Sequence, residues 1–139
     1  SLDEEVHMLD GSYRRKNRVD FSSISKKVTA EEIIRQQEVV NSIHVEKKMM
    51  TYIAEIIQKT RNSSQISIGA SPRASVFVMR ASQALAAMNG RDFITPEDIK
   101  WMSGPVLRHR VSLTPEKEME GASPDKIIKT IVDSVEVPR

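Results

Sequence analysis

Gly69-Ala70-Ser71-Pro72-Arg73-Ala74 is the segment whose residue types and spacing carry the most chemistry. Ser71 followed by Pro72 reads as a helix start. The hydroxyl serves as N-cap, and proline at the first helical position gives up an N–H that has no partner there. Gly69 lets the backbone turn sharply into that start. Arg73 then falls in the first turn, where the partially positive helix end disfavours a cation. Such a guanidinium has two readings. It can share an external anion with the free first-turn amides. It can also extend to solvent or pair with a nearby glutamate, because the conflict is worth well under about 1 kcal/mol when exposed.

Other catalytic patterns are absent from the sequence. There is no Gly-x-x-x-x-Gly-Lys-Ser/Thr to cradle phosphates and no Gly-x-Ser-x-Gly around a nucleophilic serine. His7, His44 and His109 stand far apart and outside any metal-ligand spacing, so no metal site is expected; His44 reads as a partly buried polar residue. With no cysteine there is neither a disulfide frame nor thiolate chemistry. Acidic residues cluster as helix caps and exposed faces. The chain by itself is not expected to be catalytic.

The elements that must position Arg73 are helical. Thr29-Ala30-Glu31-Glu32 has the capping-box pattern, followed by Ile33, Ile34, Gln37, Val40 and Ile43 or His44 at helical period. A second helix over 45–60 carries Val45, Met49, Tyr52, Ile53, Ile56 and Ile57 on one stripe. Ile66-Ser67-Ile68 reads as a short extended approach. The helix from Ser71 has Ala74, Phe77, Val78, Ala81, Ala84, Leu85 and Met88 on its apolar face and ends at Asn89-Gly90. Ser/Thr-Pro recurs at Thr95, Thr114 and Ser123. The Thr95 helix is expected to break near Gly104-Pro105, with Trp101 in the core or at a domain contact. The Ser123 helix points Ile127, Ile128, Ile131, Val132 and Val135 inward. Upstream, Asp3 to Leu9 forms a short helix, and Gly11 to Val28 reads as a basic connection containing Arg14, Arg15, Lys16 and Arg18. The expectation is an all-α fold, a small bundle of about five to six helices. Residues 1–28 form a helix and connection, and residues 29–139 the bundle.

At this point the sequence resembles the C-terminal lid of MoxR-type AAA+ ATPases. Gly69-Ala-Ser-Pro-Arg-Ala74 looks like that family's sensor-2 motif. The match continues through Asn89-Gly-Arg-Asp-Phe-Ile-Thr-Pro-Glu-Asp-Ile99 and Pro105-Val-Leu-Arg-His-Arg110. Thr29-Ala-Glu-Glu-Ile33 falls where the lid begins, and Leu2-Asp3-Glu4-Glu5 resembles the segment following the ATPase core. The resemblance implies a helical lid that folds over ATP, with Arg73 as the sensor-2 arginine reaching the γ-phosphate and Ser71 and Gly69 beside the nucleotide. ATP and Mg would be held mainly by a core that this sequence does not contain, so no cofactor is expected for this chain alone. The resemblance further implies a preceding AAA+ core, neighbouring subunits of a ring, expected to be hexameric, and chaperone-like remodelling of partner proteins. Proteins with von Willebrand factor A domains are candidate partners. The Walker A and Walker B segments are missing, which leaves this chain unable to hydrolyse ATP.

Composition fits without deciding the matter. Of 139 residues, 39% are hydrophobic and 29% charged, which are the proportions of a globular protein. No apolar run approaches the roughly 20 residues of a membrane span, so a cytoplasmic protein is expected. The net charge is only +2, and Arg14-Arg15-Lys16 has no interleaved aromatics for base stacking, which disfavours nucleic acid. The alternative is a stand-alone helical module that binds protein or nucleic acid through this basic connection. Arg108-His109-Arg110 reads either as a solvated helix end or as a contact to the core or a neighbouring subunit.

Overall fold

Capping chemistry sets the helix boundaries in the computed structural model, which describes residues 1–16, 21 and 24–138. In chain order the elements are α1 (Leu2–Arg14), α2 (Ala30–Ser42), α3 (Lys47–Arg61), β1 (Ile66–Ile68), α4 (Pro72–Met88), α5 (Pro96–Leu107), β2 (Ser112–Leu113), α6 (Pro115–Met119) and α7 (Pro124–Asp133). The fold is all-helical apart from the two short strands, which pair antiparallel.

The chain divides into two compact units, Ser1–Ile33 and Ile34–Arg139. In the first, Ser1 and Glu4 form a capping box at the start of α1. This helix continues to Arg14, further than Leu9, so the first residues of the expected connection are helical; an Arg14–Asp10 ion pair at 2.7 Å spans its last turn. Arg18 of the basic run lies outside the described residues. Thr29 and Glu32 exchange the expected reciprocal bonds, Glu32 N to Thr29 Oγ1 at 3.1 Å and Thr29 N to Glu32 Oε2 at 2.6 Å.

In the second unit, α3 contributes Tyr52, Ile53, Ile56 and Ile57 to a core completed by α4, α5 and α7. Ile127 and Ile131 of α7 form a smaller cluster with Ile66 and Leu113 beneath the strand pair. The α4 helix buries only part of its apolar stripe. Ala74, Val78, Ser82, Gln83 and Ala86 are buried, whereas Phe77 is 37% and Met88 78% exposed. Small side chains let α4 lie close to α3 and α5, and Ser82 satisfies its hydroxyl on the Val78 carbonyl.

Three further expectations are corrected. No residue of α2 is buried, and Ile33 and Ile34 are exposed. The anchorage of α2 is at its end, where Ile43 is buried and its carbonyl accepts from Gln83 Nε2 at 2.9 Å. His44 is exposed; its backbone, not its imidazole, bridges to Phe93. Helix α5 runs through Pro105 without breaking, because the carbonyl that loses its donor is that of Trp101, on an open face where Trp101 is 75% exposed. Trp101 is therefore not part of this unit's core.

Of the four Ser/Thr-Pro starts, two are capped by their side chains. Thr95 Oγ1 accepts from Asp98 N and Ser123 from Lys126 N, while Ser71 and Thr114 form no such bond. At Thr95 the cap is part of a larger clamp. Arg91 forks onto Asp98 with Nη1–Oδ2 at 2.7 Å and Nη2–Oδ1 at 2.6 Å, and Asp98 Oδ2 also accepts from Thr95 N at 2.8 Å. Burial pushes the Asp98 pKa up, but the hydrogen bonds from Arg91 and Thr95 outweigh it and hold the carboxyl below its ordinary 3.8. This joins the turn after α4 to the start of α5.

Thr95→Ala and Ser123→Ala are each expected to cost about 0.5–2 kcal/mol in urea melts, and Ser71→Ala and Thr114→Ala close to nothing. Asp98→Ala should cost roughly 1–3 kcal/mol at neutral pH. A carboxylate with a lowered folded pKa stabilises above its unfolded pKa and loses that contribution as pH falls through the folded one. Wild type should therefore weaken more steeply than Asp98→Ala on acidification below pH 3.8.

Candidate functional site

The entry to α4 is fixed by two contacts with the end of α3. A Cβ built on Gly69 would lie 2.5 Å from Arg61 Cα and 2.8 Å from Arg61 N, so only glycine permits this approach of two backbones. The neighbouring Thr60, wholly buried, donates to Ile57 O at 2.7 Å and accepts from Ala70 N at 3.0 Å. One hydroxyl thus ties the last turn of α3 to the residue before Ser71. Glycine is required at 69 for space, and its φ is not positive, unlike those of Gly90 and Gly121.

The structure places Ser71 at the N-cap with extended backbone (φ −71°, ψ 160°). Its carbonyl accepts from Ala74 N at 2.9 Å, and its exposed hydroxyl makes no cap bond. Arg73 follows in the first turn, exposed, beside no acidic residue of that turn. Among the described residues it has no ion pair and no side-chain hydrogen bond. Of the two readings of Arg73, pairing with a nearby glutamate is not what the fold provides. Gly69, Ser71 and Arg73 are brought together at one helix entry, with a cation and a hydroxyl left uncommitted.

Sequence reasoning missed Thr60, whose spacing resembles any other helical threonine, and the pairing of Ile66 with Leu113 and Ile68 with Ser112. That pairing sets the chain leading back to Arg110 beside the chain leading forward to Ser71. Within the triplet, Arg108 Nε lies 3.2 Å from Asp125 Oδ1, while the Arg110 guanidinium sits 4.4 Å over the Phe77 ring. No group of acidic, histidine or cysteine side chains among the described residues could hold a metal.

Residues 58–131 match the model of the AAA lid domain. The chain belongs to this family. It is 33% identical over 138 residues to the uncharacterized protein YeaC of Bacillus subtilis, across 99% of this chain and 42% of that protein. It is 30% identical over 117 residues to the chaperone MoxR1 of Mycobacterium tuberculosis, across 78% of this chain and 31% of that one. The crystal structure of a candidate ATPase from Cytophaga hutchinsonii superposes with a TM-score of 0.78 at 30% identity, covering 95% of this chain and 43% of that one. The lid thus spans less than half the length of each of these relatives.

Gly69→Ala should destabilise the lid by about 1–3 kcal/mol, because the added methyl must push the two backbones apart. Thr60→Val should cost a similar amount by leaving the buried Ala70 amide unpaired. Urea unfolding followed by circular dichroism measures both.

Proposed function

We propose that this lid closes over ATP held by a preceding AAA+ core, and that Arg73 is its sensor-2 arginine. The observation that carries the reading is the uncommitted guanidinium in the first turn of a helix whose entry is locked to α3. The residues present fit an anionic polyphosphate. Arg73 supplies an unpaired cation, Ser71 a free hydroxyl, and the start of α4 the positive end of a 17-residue helix. Gly69 belongs to the site by holding this entry in place.

When bound, ATP supplies the γ-phosphoryl group and the negative charge that redistributes during its transfer. The planar guanidinium of Arg73 offers charge-assisted, fork-shaped hydrogen bonds to that charge. Because Arg73 rides on the lid, binding it would favour one angle of the lid over another. That angle is the means by which hydrolysis would be coupled to chaperone-like remodelling, within a ring of subunits, expected to be hexameric. Proteins with von Willebrand factor A domains are the proposed clients. One MoxR relative is named a chaperone, which supports the remodelling role. Among the described residues no helix is long and apolar enough to cross a membrane, in keeping with work in the cytoplasm.

In the full-length ATPase, Arg73→Ala should lower turnover by about an order of magnitude or more, and Arg73→Lys should recover only part of it. The melting temperature of the lid should not change, since an exposed cation without its anion holds little together. Equal ATPase rates for wild type and Arg73→Ala would remove the sensor role.

A further inference from the structure

We propose that Arg110 is a second phosphate-facing cation of the lid, seated on Phe77 and acting beside Arg73 on the same nucleotide polyphosphate. The proposal rests on the sensing role given to Arg73.

Two features point Arg110 towards the start of α4, and a third concerns its charge. The first is the strand pair. With Ile68 opposite Ser112 in an antiparallel ladder, the chain running forward from Ile68 and the chain running back from Ser112 start out side by side. The first leads to Ser71 and Arg73, the second to Arg110. The second feature is Phe77, one helical turn after Arg73 on the same flank of α4. Helical side chains lean towards the N-terminus, which favours this ring on the side of the turn that carries Arg73. The Arg110 guanidinium stacks 4.4 Å from the centre of the ring.

The third feature is charge. Arg108 is neutralised by Asp125, and Arg91 by Asp98. Neither Arg73 nor Arg110 has an ion pair among the described residues, and the buried Nε of Arg110 makes no hydrogen bond. Two like charges beside the positive end of a helix repel unless something compensates them. Stacking on Phe77 compensates in part, but it uses only the face of the guanidinium. The in-plane Nη donors remain available, and their fork geometry suits the oxygens of a phosphate. The exposure of Phe77, unexpected in the apolar face of α4, is explained by this second task. Its ring is the platform that sets the reach of Arg110.

The test uses the full-length ATPase and equilibrium binding of fluorescent Mg-ATP, Mg-ADP and AMP analogues, alongside turnover. Arg110→Gln should weaken ATP binding about tenfold, as expected for one charge-assisted hydrogen bond. ADP should lose less and AMP almost nothing, with the melting temperature unchanged. Arg110→Lys should restore part of the affinity. Phe77→Leu, which keeps an apolar side chain but removes the platform, should weaken ATP binding by a smaller factor. An unchanged ATP affinity in Arg110→Gln, with turnover still lost in Arg73→Ala, would overturn the proposal and leave the Arg73 role standing. If neither variant changes binding or turnover, both readings fall. A loss that is equal for ATP and AMP, or that comes with a lower melting temperature, would make Arg110 structural and overturn it as well.

Discussion

Everything proposed for this lid depends on the contact between two backbones, Gly69 against Arg61, and on the single hydroxyl of Thr60 beside it. A side chain at 69 would collide with the backbone of α3, so the two chain segments can come this close only because one of them has no Cβ. The approach buries the Ala70 amide, which would be costly unless bonded, and Thr60 accepts from it. The start of α4 is thereby set relative to α3 to within hydrogen-bond tolerance. Arg73 sits two residues inside that start and inherits its position. A flexible cation on a fixed base is a different object from a flexible cation on a loop, because less freedom is lost when an anion is bound.

The far end of α4 is held by different chemistry. Arg91, just past the helix, grips Asp98 of α5 with two hydrogen bonds, and Asp98 also takes the Thr95 amide. The Arg and Asp of Asn89-Gly-Arg-Asp-Phe-Ile-Thr-Pro-Glu-Asp-Ile99 therefore have a structural use that needs no ligand. The two ends of α4 contrast in this way: at one end the arginine is paired within the fold, and at the other, among the described residues, neither Arg73 nor the Phe77-stacked Arg110 has an ion pair. Small side chains between the ends seat the helix closely on its neighbours, so displacement of one end is transmitted through packed contacts to the other. A helix with this build suits a lid that must respond as a rigid piece.

Much of this was legible in the sequence, and the failures have physical causes. The helix positions follow from apolar period and from caps, both local properties, and the α3 and α7 stripes are buried as named except for the half-buried Val45 ahead of α3. The α4 stripe held at Ala74 and Val78 and misled at Phe77 and Met88, because hydrophobicity alone does not distinguish a face that packs from one that stays at the surface. Ser82, off the stripe, reached the interior by being small, and Phe77 lies at the surface beneath the Arg110 guanidinium. On α2 the stripe is present but only its last part has a partner, so Ile33 and Ile34 stay exposed. Pro105 was overrated as a breaker because the cost of its missing N–H depends on whether the orphaned carbonyl is buried.

The sequence by itself determined the helical class, the order of the helices, the family resemblance and Arg73 as the residue of interest. These rest on local patterns, which a linear string records. Only the tertiary structure decided that Gly69 is demanded by Arg61, that Thr60 satisfies Ala70, and that Arg108 and Arg110 part company towards Asp125 and Phe77. Each of those facts joins residues separated along the chain, and no local propensity specifies which backbone passes within van der Waals contact of which.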